Sequence, residues 1–145
     1  MQNFVTFYGY TIRTQNAFYT LAGDGKVSFI DIRDISAVAA KILFSDNAED
    51  KQYEDQSFNL TGPEALSYDQ ASEILSNIIG KKISYIDIPE DVARTNMEKI
   101  GMENWLIDAL IEFHNMTKSG KTSKTTDIVE RIIGQKPIAF EQFVK

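Results

Sequence analysis

The chain has no cysteine. That absence excludes disulfides, thiolate catalysis and thiolate metal sites. Histidine occurs once, at His114, so no histidine pair can hold a metal; a single helical histidine among apolar neighbours reads as packed or half-exposed. Positive charge is also short. Lys and Arg number 15 against 21 Asp and Glu, a net charge of −6, which repels phosphate backbones and argues against nucleic acid as a partner. The densest basic stretch is the short loop "KSGKTSK". No apolar run approaches the roughly 20 residues of a membrane span, and "MQNFVTFYGY" lacks the basic start of a secretion signal. The expectation is a soluble cytoplasmic protein, without a membrane or nucleic-acid partner.

Several motifs are missing in a similar way. "GKT" at 120–122 suggests a phosphate loop, but position 115 is Asn where the motif needs Gly, and a helix precedes it instead of a strand. Gly23 and Gly25 give G-x-G, yet position 28 is Ser, and the pair leads into a strand, so both read as turn residues. No Tyr is followed four residues later by Lys. "SDNAEDKQYEDQ" lacks calcium-loop spacing and glycine and reads as a solvated loop; no metal site is expected.

What is present is an ordinary globular composition, 43% hydrophobic and 25% charged, in alternating helical and extended patterns. "KVSFIDI" (26–32) predicts a strand. Asp34 is expected to cap a helix with Ile35, Val38, Ala39, Ile42 and Leu43 on its inner face. "SFNLTGPEAL" predicts a short strand and turn. Ser67 with Gln70 forms a capping box for a helix buried through Tyr68, Ala71, Leu75, Ile78 and Ile79 and stopped by Gly80. "KISYIDI" (82–88) predicts another strand, and Pro89 opens the next helix. A long helix over 102–118 has its stripe at Met102, Leu106, Ala109, Leu110, Phe113 and Met116. Short helices follow at "TTDIVERIIG" and "AFEQFV", and a helix is plausible over "MQNFVTFYGYTI".

"DGKVSFIDIRDISAVAAKIL", "FNLTGPEALSYDQASEILSNIIGKKISYIDIPED", "IGMENWLIDALIEF" and "DIVERIIGQKPIAFEQFV" resemble, in order and spacing, the C-terminal half of NmrA-like proteins. These are atypical short-chain dehydrogenase/reductase relatives that include NAD(P)H:quinone oxidoreductases. The resemblance implies an α/β fold: the C-terminal part of a Rossmann-like NAD(P)-binding domain plus its small helix-rich substrate subdomain, without the glycine-rich half. It places a Rossmann remnant (helix, strand, helix) at 1–46 and a substrate or lid subdomain at 47–145. Met1 looks like an interior methionine of a longer ancestor.

The implied function is part of an NAD(P)-dependent, quinone-reductase-like oxidoreductase that does not turn over by itself. The alternative is a dinucleotide-sensing regulator or protein-interaction module. The implied cofactor is NAD(P), bound weakly or not at all by this chain alone. Asn3 and Phe4 would lie nearest the nicotinamide, unless Asn3 caps the first helix and Phe4 is core. Tyr8, Tyr10, Phe18 and Tyr19 are candidates for lining a pocket for a flat substrate. No catalytic residue is assigned. An unpaired strand edge at "KVSFIDI" would favour a homo-oligomer, or pairing with an N-terminal half.

Overall fold

The computed structural model describes residues 1–44 and 53–145. Most of the acidic stretch and the 46/47 boundary lie outside them. The elements run α1 (Asn3–Thr6), α2 (Gly9–Gln15), β1 (Ala17–Thr20), β2 (Lys26–Val27), α3 (Ile32–Leu43), β3 (Leu66–Ser67), α4 (Tyr68–Ile79), β4 (Ser84–Asp87), α5 (Glu90–Lys99), α6 (Asn104–Lys118), α7 (Ile128–Ile133) and α8 (Phe140–Val144). Strands β1 and β4 pair in parallel, Ala17 opposite Ser84 and Thr20 opposite Asp87. Strands β2 and β3 form a two-residue antiparallel ladder. Both ladders join residues from opposite sides of position 46.

The first helical pattern breaks into α1 and α2 around Tyr8, and Asn16 in the left-handed region ends α2. The chain then enters β1, a strand not anticipated from the sequence. "KVSFIDI" contributes only Lys26–Val27 to a ladder; beyond it Ser28 N donates to Thr122 O at 3.0 Å. In "SFNLTGPEAL" the strand is confined to its end, at Leu66.

Helix α3 starts one turn earlier than expected. Asp31, in an extended conformation, is the N-cap and accepts from Arg33 N. Asp34 sits inside the first turn, buried, where Oδ2 accepts from Ile138 N at 2.9 Å. Val38 faces the core, while Ile35 and Leu43 are exposed, because α3 packs mainly against the short helix α7. The expected capping box of α4 forms: Gln70 N donates to Ser67 Oγ and Ser67 N to Gln70 Oε1. Gly80 in the left-handed region ends that helix, with Ile79 exposed beside it. Helix α5 begins after Pro89.

Helix α6 has a different phase from the expected stripe. Ile107, Ile111, His114 and Thr117 are buried, and Phe113 and Met116 are partly exposed.

The largest core cluster is aromatic. Phe4 packs edge-on against Phe18, Phe29 and Phe140 at centroid distances of 5.5, 5.4 and 4.9 Å. Phe18 and Phe140 are fully buried, each contributing roughly 1.5–3 kcal/mol through burial. Separate clusters form around Leu21, Ala93, Ile107 and Ile111, and around Val38, Val129 and Ile132.

Candidate functional site

A cavity of about 530 Å³ opens between the aromatic cluster and α5–α6. The break between α1 and α2 turns Asn3, Phe4, Phe7 and Tyr8 toward it. The end of β1 brings Tyr19 and Thr20, the extended stretch after β2 brings Phe29 and Ile30, and the first residue of α4 brings Tyr68. Helix α5 adds Ala93, Asn96 and Met97; α6 adds Leu110, Phe113 and His114. Among the described residues, no Asp, Glu, Lys or Arg lines the cavity.

The expected site residues divide. Asn3, Phe4, Tyr8 and Tyr19 line the cavity. Asn3 does not cap α1, whose N-cap is Gln2 without a side-chain bond. Phe4 is both wall and core. Phe18 is fully buried behind the wall, and Tyr10 points outward, 69% exposed. Thr20, Tyr68 and His114 were not anticipated as wall residues. Periodicity could have signalled His114, which falls at the i+3 and i+7 positions from Ile111 and Ile107.

The polar atoms of this wall are short of partners. His114 Nδ1 lies 2.7 Å from Leu110 O. A carbonyl only accepts, so Nδ1 carries the proton. Nε2 is then the lone-pair nitrogen of a neutral ring, and it is buried without a partner. Burial, the largest cause, holds the imidazole pKa below its ordinary value, against the opposing Leu110 carbonyl. The ring stacks on Tyr68 at 6.1 Å and 22°. Thr20 Oγ1 is the second buried atom without a partner; it lies beside the Tyr8 hydroxyl without a hydrogen bond of normal geometry. Burial raises the pKa of Tyr8, and that of Tyr68 still further, so both phenols stay protonated donors across the physiological range.

A dinucleotide's diphosphate finds no matching cradle among the described residues. Every described helix of eight or more residues opens on acidic groups: Asp31 and Asp34 on α3, Asp69 on α4, Glu90 and Asp91 on α5, Glu103 on α6. Their negative charge opposes phosphate at these helix ends. None of the eight glycines lies on a strand-to-helix turn. Among the described residues there is no group of three or more potential metal ligands, and no helix is long and apolar enough to cross a membrane.

No family model matches the chain. It is 34% identical over 145 residues to the NAD(P)H azoreductase of Xenophilus azovorans, covering all of this chain and 49% of that protein. Festuclavine dehydrogenase of Aspergillus fumigatus is 31% identical over 135 residues, 92% of this chain and 45% of that enzyme. The chain thus spans about half the length of the curated relatives it matches. An NADPH-dependent quinone oxidoreductase from Escherichia coli superposes with a TM-score of 0.82 at 20% identity, over 99% of this chain and 50% of the other. Citrobacter triphenylmethane reductase, solved with NADP(H), superposes with a TM-score of 0.75 at 21% identity, over 92% and 46%. The α/β fold is that of the C-terminal half of Rossmann-like NAD(P)-binding reductases.

Proposed function

We propose, since the chain belongs to the NmrA-like NAD(P)H-dependent oxidoreductases and matches their C-terminal half, that it forms the acceptor-binding wall of a quinone-reductase-like enzyme. The observation that carries this reading is the cavity: about 530 Å³, aromatic, and lined by no Asp, Glu, Lys or Arg among the described residues. Such a space suits a flat, apolar ligand with a small polar edge. Asn3 and Phe4 are the residues we assign to the nicotinamide side, and Tyr8 and Tyr19 to the acceptor side. We assign residues 1–46 to the Rossmann-like domain and 47–145 to the substrate subdomain.

In the whole reaction the cofactor supplies hydride, and the protein binds, orients and excludes water. This chain supplies the orienting wall. The absence of a diphosphate cradle among the described residues supports the view that turnover needs further polypeptide or a partner that holds the cofactor. The test is NADH and NADPH oxidation by the purified chain with 1,4-naphthoquinone as acceptor. The expected result is no oxidation above the uncatalysed blank. Saturable oxidation of either cofactor would show a working cofactor site in this chain and would overturn the reading.

A further inference from the structure

The cavity wall contains a polar corner assembled from three parts of the chain. Tyr8 stands at the α1–α2 break, Thr20 ends β1 and Tyr68 begins α4. Thr20 and Tyr68 are each only 3% exposed. The three hydroxyls are neighbours, yet Thr20 Oγ1 has no partner of normal geometry. Even a complete chain of bonds among three hydroxyls uses two of their three protons, so one donor is left over. A buried polar group without a partner is costly, and native structures keep few of them. His114 Nε2, beside Tyr68, is also without a partner, but as an acceptor it adds no donor to the corner. The leftover capacity lies at the edge of a cavity lined, among the described residues, by no Asp, Glu, Lys or Arg, and a charge brought there would lose hydration.

We infer that this corner is a recognition subsite for an uncharged, planar ligand carrying a carbonyl-type acceptor, with the Tyr8 hydroxyl as its donor. Thr20 is a positioning residue: its Oγ1 is shut off from solvent, so it acts on the ligand through Tyr8. The inference rests on the reading that the cavity takes the reducible acceptor.

The experiment compares binding of 1,4-naphthoquinone, naphthalene and 1,4-naphthoquinone-2-sulfonate to the chain, by calorimetry at neutral pH. The hydrocarbon fills the same space without an acceptor, and the sulfonate adds charge. One good neutral hydrogen bond predicts that the quinone binds about tenfold more tightly than naphthalene. Tyr8→Phe and Thr20→Val should each remove most of that advantage while leaving naphthalene binding in place, which separates recognition from folding. The sulfonate should bind about tenfold more weakly than the parent quinone or worse. If the quinone advantage survives both substitutions, the subsite is wrong while the cavity reading stands. Equal binding of sulfonate and quinone would overturn the requirement for an uncharged ligand. If wild type binds neither quinone nor naphthalene, the reading of the cavity itself fails.

Discussion

Replacing Asp31 with Ala removes more than a helix cap. Oδ1 accepts from Arg33 N at 2.8 Å, from Arg33 Nε at 3.0 Å and from Gln2 Nε2 at 3.0 Å, while Oδ2 meets Arg33 Nη2 at 2.9 Å. The cap alone is worth about 1 kcal/mol. The Arg33 fork is mostly exposed on the arginine side and adds little. Gln2 also accepts from Ile32 N through Oε1, so loosening it frees a second first-turn amide, at about 0.5–1 kcal/mol. The sum is about 2 kcal/mol. At about 0.3 kcal/mol/K of unfolding entropy for a chain of this length, that lowers Tm by about 7 °C. The effect carries a pH signature. The Arg33 hydrogen bond, as the largest cause, with Arg33 N, Gln2 and the Arg33 charge, holds the Asp31 carboxyl at about 2 despite its burial. A depressed carboxylate pKa stabilises the fold above the unfolded value near 4, and this contribution fades as pH falls from about 4 toward 2. Melts followed by circular dichroism should therefore show a gap between wild type and Asp31→Ala that is constant from pH 7 to 5 and shrinks below pH 4. A gap under 2 °C at pH 7, or one that widens on acidification, would refute the assignment.

Asp34→Ala should also destabilise, by about 1–3 kcal/mol, because it leaves the Ile138 amide without its acceptor; a urea titration reads it. Ile132→Ala, in the buried α3–α7 cluster, should cost roughly 2–5 kcal/mol by the same titration. Leu110→Ala, on the cavity wall, should cost about 1 kcal/mol or less and instead alter ligand affinity. Gly62→Ala should destabilise by about 3 kcal/mol, since its Cβ would overlap the Phe29 carbonyl. His114 has a folded pKa below its unfolded value, so the unfolded chain takes up a proton first and stability falls as pH drops below about 6.5; His114→Phe should flatten that fall in melts between pH 7 and 5.

Local chemistry made part of the architecture readable. The Ser67–Gln70 box and the Gly80 stop depend only on neighbouring residues, and "KISYIDI" carries its own β-branched and aromatic signal. Strand β1 was hidden because its ladder partner, β4, lies 67 positions downstream, and four residues hold too little periodicity. Asp31 and Asp34 are both acceptable caps by composition; backbone conformation selects Asp31, extended at ψ 139°. The phase of α6 misled for a reason tied to the site. Its cavity-facing residues, Leu110 and Phe113, are as apolar as its core residues, Ile107 and Ile111, and hydrophobic periodicity does not distinguish a cavity wall from a packed core. Tyr8 and Tyr19 could be proposed as wall residues by type, whereas Thr20 and Tyr68 reach the cavity through long-range pairing and packing that no local pattern encodes.

We propose a division of labour in which this chain holds an uncharged acceptor and the dinucleotide is held elsewhere. Parallel calorimetric titrations of the purified chain with 1,4-naphthoquinone and with NADPH test it most directly. The expected result is saturable quinone binding at the cavity and a dissociation constant for NADPH of about 1 mM or weaker, near −4 kcal/mol. Micromolar, saturable NADPH binding without quinone binding would contradict it.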